Sequence, residues 1–205
     1  SYGLNTGMVG IGANNSKGRI DNVAVQILPP EITLELSDGF AGSGDSITTV
    51  DVNGVWLIAD GLKTGQLDSD LSPALSLVDL GLETGLQTSS YLELTTSLSV
   101  SGQGGFVFDH YGLKDFKFVV IDTESQQVLI GHSTKRGGVK IDAAYDRSEI
   151  VSGADLDLTI SIKGTTLSIA LEGQVLQGYA FNGLAIDGDF GLITLSGTTA
   201  FDSLT

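Results

Sequence analysis

The stretch Gly104–Ala143, GGFVFDHYGLKDFKFVVIDTESQQVLIGHSTKRGGVKIDA, carries the strongest fold signal in the chain. It holds four of the eight phenylalanines (Phe106, Phe108, Phe116, Phe118) and both histidines, His110 and His132. Taken two residues at a time, Phe106, Phe108 and His110 fall on one side, and Val107, Asp109 and Tyr111 on the other. The next run repeats the pattern, with Phe116, Phe118 and Val120 on one side and Lys117, Val119 and Ile121 on the other. Successive side chains of an extended chain point to opposite faces, so alternation interrupted by Gly and polar turns predicts half-buried antiparallel strands. The phenylalanine side is the expected core face, and the reverse side is expected to meet solvent.

The same period extends outward. Tyr91–Val100 (YLELTTSLSV) leads into the stretch, and Leu156, Leu158, Ile160 and Ile162, then Leu167, Ile169 and Leu171, form a hairpin pattern about Lys163-Gly164. Further strands are predicted around Val175–Phe181 and Phe190–Leu195. Toward the N-terminus, Ile32–Leu36 and Ala74–Leu80 alternate, and Val52–Ala59 carries the only tryptophan, Trp56, expected in the core. The polar stretches SDGFAGSGDS (37–46) and DGLKTGQLDSD (60–70) read as loops. The count is roughly twelve to fifteen strands with no helix, which predicts an all-β fold, a two-sheet antiparallel β-sandwich.

Composition limits the function. A chain of 205 residues with 41% hydrophobic content suits one main β domain, and 28 glycines against 3 prolines supply its turns. A net charge of −15 repels phosphate backbones and anionic lipid surfaces, so neither nucleic acid nor a membrane is an expected partner. The absence of cysteine removes disulfides, thiolate catalysis and cysteine-ligated zinc. No apolar run approaches the roughly 18 residues of a transmembrane helix.

The first thirty residues end in Pro29-Pro30, which breaks both ladder and helix. Their layout parallels the chain's end: Tyr2-Gly-Leu-Asn5 precedes a Gly-opened strand and Ile20-Asp21, and Tyr179-Ala-Phe-Asn182 precedes another and Phe201-Asp202. Residues 1–28 are therefore either closing strands of a preceding module in a tandem array or a hairpin added to a sheet edge, and 29–205 are the sandwich module.

The order YLEL (91–94), GGFVFDHYGLKDFKFVVID (104–122), QVLIGHSTKRGGVKIDA (127–143), LTISIKGTTLSIALEGQVLQGYAFN (158–182), GDFGLIT (188–194) and AFDSL (200–204) resembles concanavalin A-like and laminin G-like jelly-roll modules, in particular those of large bacterial surface and adhesin-type proteins. The resemblance covers about residues 31–205. It implies two curved antiparallel sheets, a concave face or rim that binds glycan in many members, often a calcium ion at the rim, and an extracellular or cell-surface location. The calcium-ligating positions of laminin G modules do not map one by one onto this chain, so no ligand role is carried over.

Strand parity places a candidate ligand face opposite the phenylalanines: Asp109, Tyr111, Lys117, Lys140 and Asp142. Carboxylates and amines that hydrogen-bond hydroxyls, beside an aromatic ring, are the ingredients of a sugar site; the alternative is a solvated face with cross-strand Lys–Asp pairs. The expected partners are a glycan or cell-surface polysaccharide and neighbouring modules. A structural Ca2+ is the one cofactor suggested, with Glu35, Asp38 and Asp202 as candidate ligands from separate segments and Asp187 and Asp189 as a second candidate turn. His110 and His132 are expected to cap the core edge with their ring nitrogens hydrogen-bonded. Retaining glycosidases on such a sandwich need two carboxylates about 5 to 5.5 Å apart, and no E-x-D-x-E run occurs. The expectation is a non-catalytic binding and adhesion module, with a purely structural repeat that assembles by strand addition through the N-terminal segment as the alternative, and a glycan-active hydrolase or lyase as the less favoured one.

Overall fold

The computed structural model describes residues 11, 18–19, 21–22, 34–42, 47–68, 72–81, 86 and 89–205. These hold thirteen strands and no helix: β1 (Thr48–Asn53), β2 (Val55–Ala59), β3 (Leu62–Gln66), β4 (Ala74–Asp79), β5 (Tyr91–Gly112), β6 (Asp115–Asp122), β7 (Gln127–Thr134), β8 (Gly138–Asp146), β9 (Asp155–Lys163), β10 (Thr166–Leu171), β11 (Gln174–Val175), β12 (Tyr179–Ala180) and β13 (Asp189–Phe201). The fold is an all-β antiparallel sandwich, as the alternation predicts. The reading of residues 1–28 as a preceding module or edge hairpin lies largely outside the described residues; of the strand expected over Ile32–Leu36, residues 34–36 are described and are not strand.

Two long strands run through both layers. β5 and β13 pair with each other from Asp189↔His110 to Phe201↔Leu98. Over Gln103–Phe108, β5 takes β6 as its other neighbour, and over Tyr91–Ser99 it takes β9. β13 likewise pairs with β4 through Gly191–Thr194 and with β3 through Thr198–Phe201. One layer is therefore β1-β4-β13-β5-β6-β7-β8, and the other continues from the same two strands into β3-β2 and β9-β10. The crossing is made by Gly102 and Gly197, which face each other in the ladder at φ 112° and 66°. A Cβ on either would overlap a carbonyl oxygen of the paired strand, Ser196 for Gly102 and Ser101 for Gly197. Only glycine suits both the backbone and the space.

The main core lies between the layers. Leu94, Leu98, Leu158, Ile160, Ile162, Leu167 and Ile169 of one layer meet Phe106, Phe108, Val119, Ile121, Val128 and Ile130 of the other. The parity reading fails in one respect. The ladder sets Phe106 opposite Val119 and Val107 opposite Phe118, and residues directly opposite share a face. Phe116 and Phe118 therefore point away from Phe106 and Phe108. With Val107, Val120, Leu129, Leu75, Leu77 and Ile193 they form a second buried cluster on the reverse face. Alternation within a strand is legible in sequence, whereas the register between strands is not, and here both faces are apolar.

A second correction concerns residues 60–70. Leu62–Gln66 is not loop but β3, joined to β2 by a tight turn at Asp60 and Gly61 with φ 53° and 78°. Two adjacent positive φ values make the hairpin turn that an Asp-Gly pair favours. The strand was obscured by Lys63, whose side chain is buried: Nζ donates to Asp51 Oδ1 at 2.8 Å and Thr49 Oγ1 at 3.0 Å and sits 5.2 Å from the Trp56 ring centre. Trp56 is core, as expected, stacked on Phe201 at 6.1 Å with Nε1 donating to the Asn53 carbonyl.

Candidate functional site

The β5–β6 end of the sandwich gathers the polar side chains. Near its end β5 carries a bulge: the register with β6 slips between Phe108 and Gly112, and Asp109 takes a left-handed conformation, φ 50°. Aspartate tolerates this region better than most residues, and the extra residue re-aims its neighbours. Asp109 consequently turns toward Lys117, which stands opposite Phe108 in the ladder and on the same face. Lys117 Nζ donates to Asp109 Oδ2 and, at 3.2 Å, to the Leu184 carbonyl, and lies 5.3 Å from the Phe181 ring centre. Both side chains are largely buried, and among the described residues Asp109 Oδ1 has no hydrogen-bond partner. Burial pushes the Lys117 ammonium below the usual lysine range, against the opposing pull of Asp187 and Asp142.

A second pair stands beside the first. His132 faces Lys140 across the β7–β8 ladder, and a bulge between Ile130 and Gly131 leaves Asp142 as the extra residue of β8. Its Oδ2 lies 2.7 Å from His132 Nδ1. Lys140 and Tyr111 are exposed, Tyr111 by 57%. The Tyr111 phenol is pushed up to about 12, by desolvation first and then by its hydrogen bond to Asp187.

The structure therefore assembles the five sequence-derived residues at one end, but not as an open polar sheet face. Asp109 and Lys117 neutralise each other at the core edge, Asp142 holds His132, and Tyr111 and Lys140 remain accessible. The contributions of Phe181, Leu184 and Asp187 from the segment before β13 left no signal in sequence spacing, apart from the acidic DGD turn. That turn also borders a cleft of about 140 Å³ lined by Val78, Asp79, Leu80, Leu86, Asp187, Gly188, Asp189 and Phe190.

His110 departs from expectation. The bulge rotates it off the Phe106/Phe108 face and stacks it on Phe116 at 6.3 Å. Among the described residues neither ring nitrogen has a hydrogen-bond partner; Asp189 Oδ2 is 3.8 Å from Nδ1. Burial lowers its pKa below 6.5, with Asp189 and Asp115 opposing. A base that protonates less readily when folded leaves the unfolded chain binding more protons once the pH drops below about 6.5. Its stabilising contribution is complete above that pH and is lost as the pH falls through the lowered folded value. The urea midpoint is expected to decline between about pH 7.5 and 5.5 in the native chain, and His110→Phe, which keeps the stacking ring, is expected to flatten that decline. Equal slopes for the two proteins would contradict this assignment.

The candidate calcium ligands are placed differently. Asp38 is buried, exchanging backbone hydrogen bonds with Leu204 at 2.8 Å and accepting the Phe40 N–H on Oδ1 at 2.7 Å. Glu35 and Asp202 are exposed. Asp38 meets the chain's end through Leu204, but among the described residues no group of three or more His, Asp or Glu side chains that could hold a metal ion is gathered, whether from these residues or around Asp187 and Asp189. Nor is there, among them, a helix long and apolar enough to cross a membrane.

A second polar surface lies on the opposite layer. On the outer face of the β5–β9–β10 layer, Glu93 Oε2 accepts hydrogen bonds from Tyr91 and Ser161, each at 2.9 Å, and Thr95 bonds Thr159 at 3.0 Å. A cleft of about 200 Å³ opens there among Glu93, Thr159, Ser161, Ser168, Ile169, Ala170 and Val175. Short Ser and Thr side chains, unremarkable in sequence, make the hollow.

No protein-family model matches the chain, and no curated protein does. Solved structures do. The carbohydrate-binding module CBM66 from Bacillus subtilis superposes with a TM-score of 0.60 at 18% identity, over 77% of this chain and 95% of that one. A Bacillus licheniformis beta-glucanase gives 0.56 at 7% identity over 82% and 95%. A beta-1,3-1,4-glucanase (lichenase) derived from a mouse hindgut metagenome gives 0.53 at 11% over 82% and 96%. These likenesses identify the sandwich as a concanavalin A-like jelly roll.

Proposed function

We propose that this chain is a non-catalytic glycan-binding module and that the β5–β6 end, around Tyr111, His132, Lys140 and Asp142, is where glycan is held. The observation that carries the reading is the pairing of Asp142 with His132 at 2.7 Å, with Lys140 opposite His132 in the ladder, at the end of the sandwich that also exposes the Tyr111 ring. Polar groups already oriented by hydrogen bonds, next to an aromatic face, suit a ligand that is hydroxyl-rich on its edges and apolar on its faces. The fold is shared with a module whose name states carbohydrate binding, which agrees with this reading.

The fold is shared with glucanases as well. The non-catalytic part of the proposal is supported by the sequence, which has no E-x-D-x-E run to set two carboxylates at the spacing a retaining glycosidase needs. A second reading places the glycan in the Glu93–Ser161 cleft, favoured by its concavity. Location outside the cell, membership of a tandem array and a calcium ion supplied by residues of more than one segment belong to the same proposal.

Binding to a glycan array, followed by calorimetry on the best hit, is the test. Tyr111→Ala and Asp142→Ala are each expected to weaken binding about tenfold, the effect of losing roughly 1.4 kcal/mol, while Glu93→Gln leaves it unchanged. The reverse pattern would assign the cleft, and an array without hits would sink the glycan reading.

A further inference from the structure

We infer that the glycan taken by the β5–β6 end is acidic, a carboxylate-bearing polysaccharide such as a polyuronate; the inference rests on the glycan reading above and adds the ligand's charge. The chain is strongly acidic, yet five of its ten Lys and Arg residues, Lys114, Lys117, Lys135, Arg136 and Lys140, fall between positions 114 and 140. The topology brings all five to one end. Lys114 lies in the β5–β6 turn, Lys117 near the start of β6, Lys135 and Arg136 in the β7–β8 turn, and Lys140 near the start of β8. The registers Phe116↔Ser133 and Thr134↔Gly138 set the two turns side by side, and Lys135 Nζ reaches across to Asp115 at 3.8 Å. The Lys140 ammonium folds back along the β7–β8 turn, its Nζ 3.5 Å from the point a Cβ on Gly137 would occupy.

The partners of these charges decide the sign of the ligand. Asp187 and Asp189, in the turn before β13, are exposed, and three carboxylates are engaged by neighbouring side chains: Asp109 by Lys117, Asp115 by Lys135 and Asp142 by His132. Three cations are not. Lys114, Arg136 and Lys140 are exposed and, among the described residues, have no carboxylate within ion-pair distance. They ring an end whose exposed Tyr111 offers an apolar ring. An anionic polymer is repelled by the rest of a chain of net charge −15 and attracted only where unpaired cations cluster. The guanidinium fork of Arg136 matches a carboxylate with two parallel hydrogen bonds, and the lysines act as point charges. A neutral glycan would take hydrogen bonds from these groups but would gain nothing from their charge.

Oligogalacturonate and its fully methyl-esterified form share a backbone and differ in charge, which makes them the probe pair, with dextran sulfate as a third ligand. Titration calorimetry of the whole chain at about 20 mM and about 300 mM salt is expected to show the free acid bound at least tenfold tighter than the ester, with the gap narrowing at high salt. Replacing the three cations together (Lys114→Gln, Arg136→Gln, Lys140→Gln) is expected to remove the preference without moving the melting temperature, and Arg136→Gln alone to remove part of it. Equal affinity for acid and ester overturns the inference while the glycan reading stands. Dextran sulfate bound in place of oligogalacturonate overturns the carboxylate assignment. Failure of every glycan, charged or neutral, overturns the glycan reading itself.

Discussion

Lys117→Met is expected to destabilise the fold by about 3 kcal/mol, the cost of removing one partner of a mostly buried ion pair and leaving the other uncompensated. Asp109 is 7% exposed in its side chain, and among the described residues its Oδ1 already lacks a hydrogen-bond partner, so loss of the ammonium leaves a carboxylate with neither water nor counter-charge. The left-handed backbone at Asp109 and the bulge around it keep the side chain from swinging out to solvent. Two further outcomes separate this account from lost packing alone. The deficit of Lys117→Met is expected to shrink as the pH is lowered, because a protonated Asp109 needs no counter-ion. The double variant Asp109→Asn with Lys117→Met is expected to recover at least half the loss, since Asn is neutral and tolerates positive φ. Denaturant melts of the three proteins measure both. A single-variant cost below about 1 kcal/mol would place the pair among exposed salt bridges that contribute little.

Gly197→Val is expected to be at least as damaging, about 3 kcal/mol or more, through a different cause. At φ 66° a β-branched residue is strained, and its Cβ would overlap the Ser101 carbonyl oxygen at the line where β5 and β13 pass from one layer to the other. The clash is with backbone, so no rotamer relieves it. Gly183→Val is the matched control, since among the described residues nothing lies within 4 Å of a Cβ there and its φ is not in the left-handed range; its effect on the melting transition is expected to be small. Similar losses from both variants would contradict the assigned role of Gly197 in folding the shared strands.

These two sites also mark the limits of the sequence. The hairpin at Lys163-Gly164, the strand Ala74–Asp79 and the dense run from Tyr91 all follow from period-two alternation, because that period is a property of a single strand. What one strand cannot express is its partner. The offset that sets Phe106 opposite Val119 and sends Phe116 and Phe118 to the reverse face is a relation between β5 and β6. The bulge at Asp109 adds one residue against β13 and the bulge at Asp142 one residue against β7, and the first of these places His110 off the Phe106/Phe108 face and aims Asp109 at Lys117. The cluster at the β5–β6 end was therefore legible in its residues and not in its pairings. β3 escaped notice because a lysine occupies a core position, and its acceptors, Thr49 and Asp51, lie on another strand.

The proposed glycan site at this end is tested most directly by amide chemical-shift mapping. The isotopically labelled chain would be titrated with oligogalacturonate, or with the strongest array hit if that is neutral. The account predicts saturable shifts concentrated at Tyr111, His132, Arg136, Lys140 and Asp142, with Glu93, Thr159 and Ser161 unmoved. Shifts confined to the Glu93–Ser161 cleft, or none at any glycan concentration, would contradict it.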